Sequence, residues 1–332
     1  MIKKTLFVFV LLMLLYIGWI RMVMPLNKVV QHQWQDNEIK AQNFLYQEGA
    51  NSKNVIVGSS LSCRILADSL AGFTNLALNG QSIFDGLNII THKKDLPEKV
   101  FIEMNVVIRG ENKTFTDNLF NPVLFTMRED IPALRDGYQP LGLAGRPAAA
   151  FVRTALSSIK SVLVRKKGDP AGAAAATAAT TPTGASTAAP IAAGATTGTT
   201  TMTPTSTATP VAKDGNSDLF TRLITIQENN YSRPADSATL YRNLNELARY
   251  VEALRRRGVK VCFYEMPIDP HLCELPLERS IREGFYRVFP PEKNSYIPHP
   301  DCTGYETSDG LHLKDPDAIR YTSYLKSRIS SL

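Results

Sequence analysis

Asn54-Val55-Ile56-Val57-Gly58-Ser59-Ser60-Leu61-Ser62 runs three β-branched residues into a glycine and two serines. A helix-compatible stretch, Ile65-Leu66-Ala67-Asp68-Ser69-Leu70, follows. The pattern predicts a strand that stops at a tight turn and feeds a helix. Such a turn puts a small hydroxyl at the carboxyl end of a strand and beside a helix N-terminus. Ligands of open α/β sheets bind there, and free backbone N–H groups at a helix start hold negative charge.

Working outward, Phe73-Thr74-Asn75-Leu76-Ala77-Leu78 reads as a second strand with Asn79-Gly80 at its end. Gln81 to His92 reads as a helix, with Ile83, Phe84, Leu87 and Ile90 near helical spacing. Lys99-Val100-Phe101-Ile102-Glu103-Met104 is a third strand. Ala238 to Arg257 is strongly amphipathic, with Leu240, Leu244, Leu247, Val251 and Leu254 on one face. Gly258 ends it, and Val259 to Pro267 is a further buried strand. Residues 268–306 read as a long connection rich in proline and aromatics, and Pro316 to Ser330 as a closing helix. Strands alternating with helices predict an α/β fold, a three-layer αβα sandwich around a parallel sheet.

Near the other end stands Ser308-Asp309-Gly310-Leu311-His312-Leu313. Serine at its free pKa is a poor nucleophile and needs an adjacent base. His312 could take the Ser60 proton while Asp309 holds the other ring nitrogen. A spacing of i, i+3 on a turn lets both side chains point the same way.

Together these residues resemble the SGNH/GDSL hydrolase superfamily. Gly58-Ser59-Ser60 matches its Gly-Asp-Ser block with Ser in place of Asp, and Asp309-Gly310-Leu311-His312 matches its Asp-x-x-His block in full. Gly80 fits the glycine of the second block. Phe101-Ile102-Glu103-Met104-Asn105 has the asparagine of the third but lacks its glycine and second Asp. The resemblance covers roughly residues 54–108 and 240–330. It implies an acyl-enzyme mechanism with Ser60 as nucleophile, chosen over Ser59 and Ser62 because it holds the third position of its block. It also implies an oxyanion hole of the Ser60 N–H, the Gly80 N–H and the Asn105 amide, with Asn79 as the other side chain considered. The Gly-Ser-Ser variant on an anchored chain looks like the subgroup that O-acetylates exported bacterial polysaccharides. That implies a polysaccharide acceptor and a multispanning acyltransferase partner to deliver the acetyl group.

Blander readings stand beside these. Ser60 could be a helix N-cap, Asp309-Gly310 an ordinary turn, His312 a surface residue, Gly80 a turn glycine and Asn105 a strand terminator. A phosphate cradle at Gly58-Ser59-Ser60 lacks the lysine and glycine spacing of a P-loop. A non-catalytic scaffold or glycan-binding subunit that keeps the fold is the second class of function.

Lys3 and Lys4 precede an apolar run from Thr5 to Ile20 that extends past Arg21 to Pro25. About twenty such residues span a bilayer. The flanking lysines favour a cytoplasmic N-terminus, and no small-x-small cleavage pattern follows. The expectation is an uncleaved anchor over 1–25 in the bacterial cytoplasmic membrane, with the body in the periplasm. Next come a stalk or covering helix over 26–52 and a first domain part over 53–168 with an insertion at 109–168, including a helix from Leu156 to Val164. An Ala/Thr/Pro linker over 169–215 is too poor in large apolar residues to offset chain entropy. A second domain part over 216–332 completes the chain of 332 residues.

Net charge is +6, but the densest basic runs, Arg165-Lys166-Lys167 and Arg255-Arg256-Arg257, flank a linker and end a helix. No nucleic-acid partner is expected. An oxidising compartment permits disulfides, and Cys273–Cys302 is the expected pair, leaving Cys63 and Cys262 as small buried residues. No Cys-x-x-Cys or paired-histidine spacing points to a metal, and no cofactor is expected.

Overall fold

The computed structural model describes residues 2–23, 33–46, 53–139 and 215–329. The expected linker over 169–215 (all but its last residue) and the helix expected from Leu156 to Val164 lie outside the described residues.

Five parallel strands form one sheet: β1 (Asn54–Val57), β2 (Phe73–Asn75), β3 (Lys99–Glu103), β4 (Lys260–Tyr264) and β5 (Ser295–Tyr296). Their order is β2-β1-β3-β4-β5. The chain steps from β1 to β2 on one side and returns to β3 on the other, so the topological switch lies beside β1. That is where open sheets of this order bind ligands.

Side chains alternate between the two faces, and each face has its own core. Val55, Val57, Val100, Ile102, Val261 and Phe263 pack with α2 (Gln33–Tyr46), α3 (Ile83–Thr91), α6 (Ser237–Arg256) and α8 (Pro276–Val288). Ile56, Phe101, Cys262 and Tyr264 pack with α9 (Asp315–Ile329) and the loops before it. The near-continuous apolar runs of the central strands follow from burial on both faces. In α6, Leu240, Leu244, Leu247, Val251 and Leu254 are all buried. At about 1.5–3 kcal/mol for each buried aliphatic side chain, their burial outweighs any propensity difference along the helix.

Two sequence readings change. The helix expected over 61–70 is replaced by two 3-10 turns, Ser62–Arg64 and Ala67–Ser69. Asn75 of β2 donates to the carbonyls of Ser62 (2.8 Å) and Ile65 (3.0 Å), and Leu66 N–H donates to Thr322 Oγ1 (3.1 Å). These tertiary bonds take the groups that a continuing helix would pair. The chain therefore leaves Ser60 through 3-10 turns and not through an α-helix. Second, the region read as a connection over 268–306 contains α7 (Pro270–Cys273), α8 and the short edge strand β5. Of the two alternatives for 26–52, α2 takes the covering one, with Gln35, Asn37, Ile39, Ala41, Gln42 and Phe44 buried. The insertion contributes α4 (Lys113–Leu119), α5 (Pro122–Asp130) and two 3-10 turns as far as residue 139.

The first helix, α1 (Ile2–Val23), exposes every large apolar side chain from Leu6 to Leu15. Its Tyr16 hydroxyl donates to the Tyr138 carbonyl. Among the described residues no helix is long and apolar enough to cross a membrane, and the side chains described in α1 run from 3 to 18. A further helix, α10 (Gly215–Tyr231), precedes α6.

Candidate active site

β1 ends at Val57, and Gly58 carries the chain over the top of the sheet. A Cβ on Gly58 would lie 2.4 Å from Ser62 Oγ and 2.6 Å from Glu103 Oε2, so only glycine lets the turn close. Glu103, the last residue of β3, is fully buried beneath that turn. Ser59 donates its N–H to Glu103 Oε2 (2.9 Å) and its hydroxyl to Oε1 (2.7 Å). The Ser62 hydroxyl also donates to Oε2 and lies 2.6 Å from the Tyr264 hydroxyl. Burial pushes the Glu103 carboxyl above its usual range, and the bonds from Ser62 and Ser59 oppose the shift. With Ser59 and Ser62 turned inward and buried, Ser60 is the one hydroxyl of the three left half-buried.

Thr307 and Leu313 form an antiparallel bridge that pinches residues 308–312 into a loop. Gly310 takes φ +89° there, and its N–H donates to Thr307 Oγ1 at 3.1 Å. Asp269, the N-cap of α7, braces the loop by donating its N–H to the Gly310 carbonyl (2.9 Å). Asp309 Oδ1 accepts the N–H groups of Leu311 (3.1 Å) and His312 (2.8 Å). Its Oδ2 lies 2.7 Å from His312 Nδ1, and His312 Nε2 lies 3.0 Å from Ser60 Oγ.

Both separations are within hydrogen-bond reach. Burial raises the Asp309 carboxyl, but the hydrogen bond and charge of His312 and the backbone N–H groups of His312 and Leu311 outweigh it. The carboxyl is held below its usual range. An ionised Asp309 can only accept, so it selects the tautomer with the proton on Nδ1. Nε2 is then the lone-pair nitrogen that faces Ser60. Two loops 252 residues apart in sequence meet at this bond.

The expected oxyanion donors have different fates. The Ser60 and Gly80 N–H groups donate to no protein acceptor among the described residues. Gly80 takes φ +71°. The residue before it is clasped by Asn37 of α2, whose side chain accepts from Asn79 N–H (2.9 Å) and donates to Asn79 carbonyl (2.8 Å). Asn105 is engaged elsewhere. Its amide donates to Met266 carbonyl (3.0 Å) and accepts from Met266 N–H (2.8 Å), tying the ends of β3 and β4 together.

Sequence reasoning missed Glu103, Asn37, Asp269 and Thr307. Glu103 left a trace, a lone acid at the end of an apolar strand. Asn37 left none, because its partner is a backbone turn 42 residues away.

Cys273 and Cys302 form a disulfide, as expected. His299 Nε2 lies beside it, 3.9 and 3.7 Å from the two sulfurs, and 2.9 Å from Glu265 Oε1. These three residues cluster their donor atoms, but a disulfide offers no thiolate to a metal. Cys262 is a free buried thiol that burial pushes up to about 12. Cys63 is only half-buried, and desolvation raises its thiol as well.

No protein-family model, no curated protein and no solved structure matches the chain.

Proposed function

We propose that this protein is a membrane-anchored, extracytoplasmic acyl-transfer enzyme of SGNH type. It adds or removes O-acetyl groups on an exported bacterial polysaccharide. The observation that carries the reading is the Asp309–His312–Ser60 relay at the topological switch of the sheet.

The chemistry follows from the relay. As Ser60 Oγ attacks an ester carbonyl, its proton passes to His312 Nε2, and Asp309 stabilises the imidazolium. The proton then leaves on the departing alcohol, and Ser60 carries the acyl group. A sugar hydroxyl or water, deprotonated by the same nitrogen, attacks the acyl-serine and restores Ser60. The negative oxygen of each tetrahedral intermediate is held by the Ser60 and Gly80 N–H groups. The exposed apolar side chains from Leu6 to Leu15 support an anchor in the cytoplasmic membrane, with the body in the periplasm. The acetyl donor arrives through a multispanning acyltransferase partner.

The engagement of Asn105 by Met266 favours one second reading, a glycan-binding scaffold that keeps the fold without turnover. The test is p-nitrophenyl acetate turnover together with covalent labelling by a serine-directed phosphonate. The wild type is expected to turn over ester and to label at Ser60, while Ser60→Ala and His312→Ala do neither. A wild type that neither turns over nor labels sinks the acyl-transfer reading and leaves the scaffold.

A further inference from the structure

We propose that Glu103 is the positioning residue of the nucleophile, its buried carboxylate clamping Ser59 and Ser62 from below so that Ser60 alone faces His312. This rests on the acyl-transfer reading above. Three donors from a single turn, Ser59 N–H, Ser59 Oγ and Ser62 Oγ, land on the two oxygens of this one carboxylate. Gly58 is hydrogen-sized at the same point because a Cβ would strike Glu103 Oε2.

The SGNH pattern has an aspartate where this chain has Ser59. Here the acid comes instead from the neighbouring strand, and the turn presents hydroxyls to it. Other elements surround the carboxylate with Tyr264 of β4, Cys63, Tyr231 of α10 and Glu278 of α8. Tyr264 reaches the clamp through Ser62. The clamp is geometric: both carboxyl oxygens are held at fixed positions by donors of the one turn. A displacement of about 1 Å at a reacting atom can lower the rate about 10²-fold. The hydrogen bonds of Glu103 go to Ser59 and Ser62 and not to Ser60 or His312, so its effect is expected in the chemical step and not in ester binding.

The experiment compares full-length wild type, Ser60→Ala, Glu103→Gln and Ser62→Ala in detergent. It reads kcat and KM for p-nitrophenyl acetate, the rate of phosphonate labelling at Ser60, and near-ultraviolet circular dichroism. Glu103→Gln keeps the shape of the side chain and replaces one of the two accepting oxygens with an NH2 that can only donate. Its kcat and labelling rate are expected to fall about 10²-fold with KM unchanged. Ser62→Ala keeps the carboxylate and removes one donor, and its kcat is expected to fall about 10-fold, again with KM unchanged. It decides the matter if Glu103→Gln does not fold. Variants that label as fast as wild type per folded molecule overturn the inference and leave the acyl-transfer reading intact. A wild type unlabelled at Ser60 overturns that reading and this inference with it.

Discussion

Asp309 and Glu278 are two acids with opposite signs of linkage. Asp309 is held below its usual range by His312 and two backbone N–H groups. Its contribution to stability is therefore present above the unfolded carboxylate pKa and is lost as pH falls through the folded one. Asp309→Asn lacks that contribution and also loses the acceptor that sets the His312 tautomer. Its ester turnover is expected to fall about 10³–10⁴-fold. The difference in Tm between wild type and variant should shrink on acidification from about pH 5 to about pH 3, which a thermal-melt series measures. Glu278 is buried, and neither carboxyl oxygen makes a hydrogen bond of good geometry among the described residues, the Asn105 amide giving it only a minor opposing contact. Desolvation pushes its carboxyl well above 4.5, with the charge of Glu265 adding to the shift and Arg282 opposing it. Folding then takes up a proton, so stability falls as pH rises from the unfolded pKa towards the folded one. Glu278→Met is expected to raise Tm at neutral pH, by an amount corresponding to about 1–3 kcal/mol, and the gain should vanish near pH 4. Equal melting temperatures at all pH values would contradict this.

The elements that hold the site are short and irregular, and the disulfide matters at this scale. It closes a sequence separation of 29 residues between the end of α7 and the 3-10 turn Cys302–Gly304. The N-cap of the same α7 is Asp269, which braces Gly310 and Thr307 of the histidine loop. The Cys273→Ser/Cys302→Ser variant is expected to lose about 2–4 kcal/mol in urea unfolding. Its ester turnover should fall as well, because the brace and the cross-link share one short helix. Full turnover in the folded, reduced protein would show that α7 holds the loop unaided. Much of this level was readable beforehand. β1, β3, β4, α6 and α9 were legible because apolar runs and helical stripes report burial directly. The 3-10 turns after Ser60 were not, because Ile65-Leu66-Ala67-Asp68-Ser69-Leu70 is helix-compatible on its own and yields only to Asn75 and Thr322. β5 was missed because two residues at a sheet edge carry no periodicity.

At the scale of the whole molecule, the exposed apolar surface of α1 must be covered. The expected outcome is that full-length protein stays with membranes through an alkaline carbonate wash and is released only by detergent. Protein lacking residues 2–23 should appear in the soluble fraction. Release of the full chain by carbonate alone would count against an anchor. The sequence by itself pointed to the parallel α/β architecture, to Cys273–Cys302 as the preferred pair and to Ser60, Asp309 and His312 as candidate site residues, which the fold brings within hydrogen-bond reach of one another. Each of these is written in local patterns: apolar periodicity, a loop-rich setting for two cysteines, and short motifs with fixed spacing. Only the tertiary structure decided which groups brace that candidate site. Glu103 beneath the serine turn, Asn37 against Asn79, Asp269 under the histidine loop and Asn105 bound to Met266 are all pairings between distant segments. Their physical cause is burial, since a polar group taken out of water must find a partner wherever the fold places one, and no local pattern encodes where that is.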